Sequence, residues 1–183
     1  MLVASGSTAA GFCVWVRMLG ETAEELVEGL PVGVELLHLE ARDLLATGQG
    51  ARLRQTLDTA RAQGALISID LGPVGWIRAH GSSKTAYQLA TIQPDVLFAA
   101  EDSSAELGAP LEGMAAVPVV LLGARGCSVY GRHLVAPAQG ELDPDGLQAT
   151  FCVALVEGAA PVEAAGRAIL ATRGFSVAGG RLR

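Results

Sequence analysis

The chain alternates short apolar runs with segments of helical periodicity along most of its 183 residues. Short, mostly apolar runs of this length are typical of strands that are buried on both faces of a sheet. Such runs predict strands at 12–16, 34–39, 65–70, 95–98 and 117–122. Strands that are separated by helical segments indicate parallel βαβ units. We therefore predict an α/β fold in which helices cover both faces of a mostly parallel central sheet.

The helical segments are recognised by the spacing of their apolar residues and by their end signals. In 51–63, Leu53, Leu57 and Ala60 lie on one face, and Gly64 supplies the end of the helix. The same pattern predicts a helix at 82–91 and a helical turn at 103–107.

The last third of the chain predicts a β-hairpin followed by two helices. The hairpin consists of 127–130 and 133–136, joined by Gly131-Arg132. Pro161 suits the first turn of the final helix, and Gly174 suits its C-cap. No internal repeat or linker is visible, so residues 1–183 are predicted to form a single domain.

Composition and charge exclude several classes of protein. A net charge of −6 and a pI near 5.0 argue against a nucleic-acid surface. A hydrophobic content of 50% and a mean hydropathy of +0.39 argue against disorder. No apolar run approaches the roughly 18 residues that a membrane span needs, and the apolar start lacks a basic region and contains Arg17. We therefore expect no membrane partner, and the widely spaced cysteines described next favour a reducing, cytoplasmic location.

Cysteine and histidine do not suggest a metal site. Cys13, Cys127 and Cys152 lie far apart in apolar stretches, so we predict buried free thiols. The three histidines are equally scattered, whereas a zinc site needs clustered ligands. No metal-ligating residue is therefore predicted.

The segment 143–151, Asp-Pro-Asp-Gly-Leu-Gln-Ala-Thr-Phe, carries the clearest functional signal. It is an acidic turn that leads into an apolar helix. A helix N-terminus offers free N–H groups and a partial positive charge, so it can hold an anion. The alternative is an ordinary Pro-Asp-Gly turn with an aspartate as the N-cap.

Four segments, in this order, resemble motifs of the ribokinase-like carbohydrate kinases of the PfkB type. They are 64–72 for the family's Asp-x-Asn strand, 94–103 for Asn-x-x-Glu, 120–126 for the nucleotide loop, and 143–151 for the signature Asp-Thr-Thr-Gly-Ala-Gly-Asp. The resemblance implies a three-layer ribokinase-like fold and a site for ATP and Mg²⁺. It assigns cofactor binding to Gly123, Gly126, Asp143 and Gly146. For the first two glycines a tight turn remains an alternative, and the signature pair implies a phosphate-sized anion site at most.

The departures from the family are concentrated in the signature. The aspartate that acts as the family's catalytic base is Ala149 here, so we predict no catalytic residue. The preceding glycine is Gln148, and a family threonine is Asp145, which would cap the helix itself and repel a phosphate.

Other positions of the implied site are also replaced. The asparagine and glutamate of Asn-x-x-Glu correspond to Ala100 and Ser103. The asparagine of Asp-x-Asn is Gly72, and the threonine of the nucleotide loop is Leu121. A slip of the alignment by one residue would bring Glu101 or Asp102 to the lost acidic position, and Glu106 is a further candidate. Asp70, at the end of a predicted strand, either caps the turn at Gly72 or faces a ligand.

The resemblance also implies that the family's first segment, with its Gly-Gly-Asn acceptor site and first strands, has no counterpart here. An open sheet edge would follow, so we expect a homo-oligomer or a partner chain to cover it. Three functions remain: a PfkB-like binding or assembly module without phosphotransfer, an active sugar or nucleoside kinase completed by a dimer or partner chain, and a structural subunit without a ligand.

Overall fold

The computed structural model describes residues 6–7, 13–16, 33–45, 50–135 and 142–173. Within these ranges the strands are β1 (Gly6–Ser7), β2 (Cys13–Val16), β3 (Val34–Glu40), β4 (Leu66–Asp70), β5 (Val96–Ala100), β6 (Val117–Leu121), β7 (Gly126–Val129) and β8 (Arg132–Val135). The α-helices are α1 (Ala41–Leu45), α2 (Gly50–Ala62), α3 (Val74–His80), α4 (Ser82–Ile92), α5 (Glu101–Leu107), α6 (Pro144–Val156) and α7 (Pro161–Arg173).

The described strands form one sheet in chain order, from β1 to β8. Neighbouring strands from β2 to β6 are parallel, whereas β1, β7 and β8 run antiparallel to their neighbours. Glu40 pairs with Asp70, and Ala100 pairs with Leu121, at the ends of their strands. The carboxyl ends of β3 to β6 therefore meet at one edge of the sheet, and the predicted mostly parallel sheet is confirmed.

Two apolar cores separate the molecule into three layers. The strands β3 to β6 send side chains into both cores, so that Leu37 and Leu36 of β3 belong to different clusters. One cluster joins the sheet to α1 through α5, and the other joins it to α6 and α7. Helices thus cover both faces, as predicted. No helix in the described ranges is long and apolar enough to cross a membrane.

Most predicted elements are confirmed to within two residues, with four differences. The strand β1 was not predicted, because it contains only 2 residues. The helices α1 and α3 were not predicted, because they contain only 5 and 7 residues. The predicted helical turn at 103–107 is the two-turn helix α5, which begins at Glu101. The hairpin turn lies one residue earlier than predicted: Tyr130 and Gly131 both have positive φ, of 50° and 72°, as a type I′ turn requires. The predicted C-cap at Gly174 lies outside the described residues.

Candidate functional site

A cavity of about 460 Å³ opens where the carboxyl ends of β3 to β6 face the N-terminus of α6. Open α/β sheets bind ligands at this edge. The described residues that line the cavity are Glu40, Arg42, Asp70, Gly72, Pro73, Ala100, Leu121, Gly123, Pro144, Asp145 and Gln148. The cavity therefore collects side chains from every segment that resembles a kinase motif.

The N-terminus of α6 already holds a carboxylate from the chain itself. Asp143 is the N-cap: its Oδ1 accepts the N–H of Asp145 at 3.2 Å, and its backbone carbonyl accepts the N–H of Leu147 at 3.0 Å. A Cβ atom at Gly146 would lie 2.7 Å from Asp143 Oδ2. Gly146 thus leaves space for the Asp143 carboxylate, and neither residue is among those that line the cavity.

The expectation that Asp145 caps the helix was wrong, because Asp143 makes the cap one residue before the helix begins. Asp145 instead lies in the first turn and lines the cavity. Its carboxylate therefore adds negative charge to the cavity near the start of α6.

Gln148 connects α6 to the end of β4. Its side chain is buried, and its Nε2 donates a hydrogen bond to Asp70 Oδ2 at 3.1 Å. Asp70 Oδ1 accepts the N–H of Gly72 at 3.0 Å, which confirms the turn-capping role. Asp70 also lines the cavity, so the two interpretations of this residue are compatible. The following residue, Ala149, presents only a methyl group at the base position of the family.

The acidic side chains near the lost Asn-x-x-Glu motif have other partners. Glu101 forms an ion pair with Arg125, and Glu106 accepts from Arg78 Nε at 2.7 Å and from Ser82 Oγ at 3.0 Å. Neither glutamate is among the residues that line the cavity. At the family's glutamate position, Ser103 is fully buried and its Oγ donates to the carbonyl of Gly72 at 2.8 Å. This segment therefore stabilises the fold and presents no carboxylate to the cavity.

The glycine-containing loop after β6 is a tight turn. Gly123 begins a short 3₁₀ helix (Gly123–Arg125) with φ of 59° and lines the cavity. Gly126 has φ of 104° and ψ of −136°, a conformation that only glycine adopts easily, and it begins β7 away from the cavity. The structure thus brings one of the two glycines to the cavity.

The cavity is acidic, and its carboxylates repel one another. Burial raises the pKa of Glu40, and the negative charges of Asp43, Asp70 and Asp145 raise it further. The positive charge of Arg42 partly offsets this increase. Burial also raises the pKa of Asp145, with smaller contributions from Asp143 and Asp70. Arg42 Nε lies 2.5 Å from Glu40 Oε2, so its charge is directed mainly to that residue. Glu40 and Arg42 were not predicted as site residues from the sequence, although they lie one and three residues after the run at 34–39.

A buried polar group lies below the cavity, between β3, β4 and α6. His38 Nδ1 is 3.0 Å from Ser68 Oγ, and Cys152 Sγ donates to the same oxygen at 3.4 Å. Burial lowers the pKa of His38, against a smaller opposing effect of Asp70, and raises the pKa of Cys152 to about 12. Cys127 is also buried, with a pKa raised to about 11, so both described thiols are un-ionised. The prediction of buried free thiols is confirmed for these two residues. The side chain of Cys13 lies outside the described residues.

We expect the fold to lose stability as the pH falls through 6.5, the ordinary pKa of histidine. Because burial lowers the pKa of His38 in the folded chain, its imidazole takes up a proton at a higher pH in the unfolded chain than in the folded chain. The loss is at most about 1.4 kcal/mol per pH unit for one proton. Urea unfolding at about pH 7.5 and about pH 5.5 measures it.

The control for this experiment is His133→Gln, because His133 is exposed on β8 and its removal should preserve the pH dependence. Glu40 and Asp145 have raised pKa values and gain stability on protonation, so they act in the opposite sense at lower pH. Equal free energies of unfolding at the two pH values would contradict the buried neutral imidazole.

The described residues contain no group of three or more His, Cys, Asp or Glu side chains arranged to hold a metal ion. No protein-family model matches the chain, and no curated protein sequence matches it. The fold, in contrast, is found in several solved kinases.

Three of these structures illustrate the likeness. A PfkB protein from Polaromonas sp. JS666 has 21% identity and a TM-score of 0.57, with 82% of this chain and 54% of that chain covered. An adenosine kinase from Sinorhizobium meliloti has 15% identity and a TM-score of 0.64, with 84% and 50% covered. An aminoimidazole riboside kinase from Salmonella enterica, complexed with its riboside and an ATP analog, has 13% identity and a TM-score of 0.56, with 73% and 53% covered.

These similarities show that the chain has the ribokinase-like fold of sugar and nucleoside kinases, as the resemblance of its motifs implied. The chain spans about half the length of the structures it matches.

Proposed function

We propose that this ribokinase-like chain is a ligand-binding module without phosphotransfer activity, and that the cavity at the strand ends is its binding site. One observation carries the proposal. At the N-terminus of α6, where the resemblance puts the phosphate and the base, the chain has its own Asp143 carboxylate, a Gln148 amide bonded to Asp70, and Ala149.

A phosphate at this helix N-terminus would find one N–H donor already taken by Asp143 and would meet negative charge. The N–H of Asp145 is already used by Asp143, and the helix dipole is already complemented by that carboxylate. The carboxylates of Asp70 and Asp145 line the same cavity and would repel a further anion. Gly123 remains available to a ligand, but Gly126, Asp143 and Gly146 serve the turn and the cap.

The chemistry of phosphoryl transfer would also lack its base. An alanine at 149 cannot accept the proton of an acceptor hydroxyl, and the loss of a positioned base costs roughly 10²–10⁴-fold in rate. Magnesium bound to ATP does not fit the residues at the Asn-x-x-Glu positions either. Ala100 has no ligand atom, Ser103 Oγ is bonded to Gly72, and Glu101 is paired with Arg125. The ATP and Mg²⁺ of the family are therefore not part of the proposed activity.

The test is an ATP-consumption assay on the purified protein with Mg²⁺ and a panel of sugars and nucleosides. We expect no consumption above the background of ATP alone, because the base position is Ala149 and the N-terminus of α6 already holds the Asp143 carboxylate. Turnover that requires both ATP and one acceptor would contradict the proposal.

A second candidate is an active sugar or nucleoside kinase that a second copy or a partner chain completes. The observation in its favour is that the chain covers only about half of each matched kinase. Phosphoryl transfer depends mainly on positioning and electrostatics, so a partner could in principle supply the missing groups. This candidate prevails if an added companion chain restores acceptor-dependent turnover.

A further inference from the structure

The charge of the cavity sets it apart from a phosphate site. Among the described residues that line it, the three carboxylates of Glu40, Asp70 and Asp145 stand against one guanidinium, that of Arg42. The three acids come from β3, β4 and α6, so the fold itself directs them to a common space.

The single cation neutralises only one side of this cavity. Arg42 Nε lies 2.5 Å from Glu40 Oε2 and 3.8 Å from Asp43 Oδ1. Asp70 receives two neutral donors, the N–H of Gly72 and the amide of Gln148. The charges that act on Asp145 are both carboxylates, Asp143 and Asp70. The side of the cavity between Asp70 and Asp145 therefore retains a negative potential that a cation would relieve.

The cavity also has the size and the polar groups that a small organic ligand needs. Its volume of about 460 Å³ lies within the range of small-molecule sites. Its carboxylate oxygens accept hydrogen bonds from ammonium and hydroxyl groups, while Leu121, Pro73 and Pro144 supply apolar walls. We infer that this cavity binds a small polar molecule with an ammonium group in preference to a phosphate, an inference that rests on the proposed function of the cavity as a non-phosphorylating binding site.

The test compares three probes that share one sugar ring and differ in charge: glucosamine, glucose and glucose 6-phosphate. We expect calorimetric titration at neutral pH and low salt to give the tightest binding for glucosamine and the weakest for glucose 6-phosphate. The preference for the amine over glucose should be at least about fivefold, and it should decrease as salt screens the carboxylates.

Two variants test whether the preference for glucosamine over glucose arises in the cavity. Asp145→Asn should weaken glucosamine binding about fivefold and leave glucose binding nearly unchanged, because only a charge is removed. Asp58→Asn is the matched control: Asp58 is exposed on α2 and does not line the cavity, so both affinities should stay the same. A circular dichroism melt of each variant confirms that the fold is intact.

Three outcomes would overturn the inference: glucose 6-phosphate binding as tightly as glucosamine, no glucosamine binding up to millimolar concentration, or displacement of glucosamine by Mg²⁺ alone at lower concentration. Failure here is separable from failure of the proposed function. The charge series reports on binding selectivity, whereas the proposed function fails only if ATP is consumed with an acceptor.

Discussion

Replacing Phe151 with alanine is expected to lower the free energy of unfolding by about 3–5 kcal/mol. Phe151 lies on α6, is fully buried, and packs edge-to-face on Phe98 of β5 with ring centroids 5.4 Å apart. Its removal would leave a cavity between the helix and the sheet, at a contact that holds α6 against the middle of β5. A loss of this size is a large part of the 5–15 kcal/mol that stabilises a typical domain.

Urea unfolding followed by circular dichroism measures the effect of Phe151→Ala. The matched control is Leu170→Ala on α7, since Leu170 is 69% exposed and its truncation should change stability by less than about 0.5 kcal/mol. Similar losses in the two variants would show that α6 does not pack on the sheet as described.

Replacing Asp145 with threonine and Gln148 with glycine is expected to raise the affinity for ATP at least about tenfold. The first change removes a carboxylate from the cavity, and the second removes the side chain that stands beside the helix N-terminus. The glycine should cost about 1 kcal/mol of stability in the helix, and Asp70 loses one hydrogen bond. Calorimetric titration with ATP and Mg²⁺ compares this double variant with the native chain.

Ala149→Asp alone is the control, because it adds a carboxylate and should not improve ATP binding. Combined with the double variant, it tests whether turnover also returns. Unchanged affinity in the double variant would show that the phosphate site has been lost beyond these two residues.

The main architecture was predictable because its signals are local in sequence. Leu66–Asp70 and Val96–Ala100 are short apolar runs, as strands buried on both faces must be. Because helices separate these strands along the chain, neighbouring strands are expected to be parallel, with their carboxyl ends at the same edge of the sheet.

The helix α3 escaped prediction because a seven-residue helix after Gly72-Pro73 contains too few turns to display a periodicity. Only Ile77 of this helix is fully buried. The hairpin turn was displaced by one residue because Tyr130 adopts positive φ, which its residue type does not suggest.

The candidate site was only partly predictable. The replacements at Gln148 and Ala149 follow from the resemblance, but the bond from Gln148 to Asp70 joins residues 78 positions apart. Nothing local in the sequence indicates such a contact. Glu40 and Arg42 reach the cavity because β3 pairs with β4, and that pairing is a property of the folded sheet.

The two polar bonds that link α6 to β4 have a mechanical consequence. Gln148 and Cys152 are four residues apart on one side of the helix, and they reach Asp70 and Ser68, two residues apart on one side of the strand. Rotation of α6 about its axis, or a shift by one residue along it, would break both bonds together. We therefore expect α6 to have the same orientation about its axis with and without a ligand in the cavity. A ligand would lose its own translational and rotational freedom on binding, but little further free energy would be needed to order the protein.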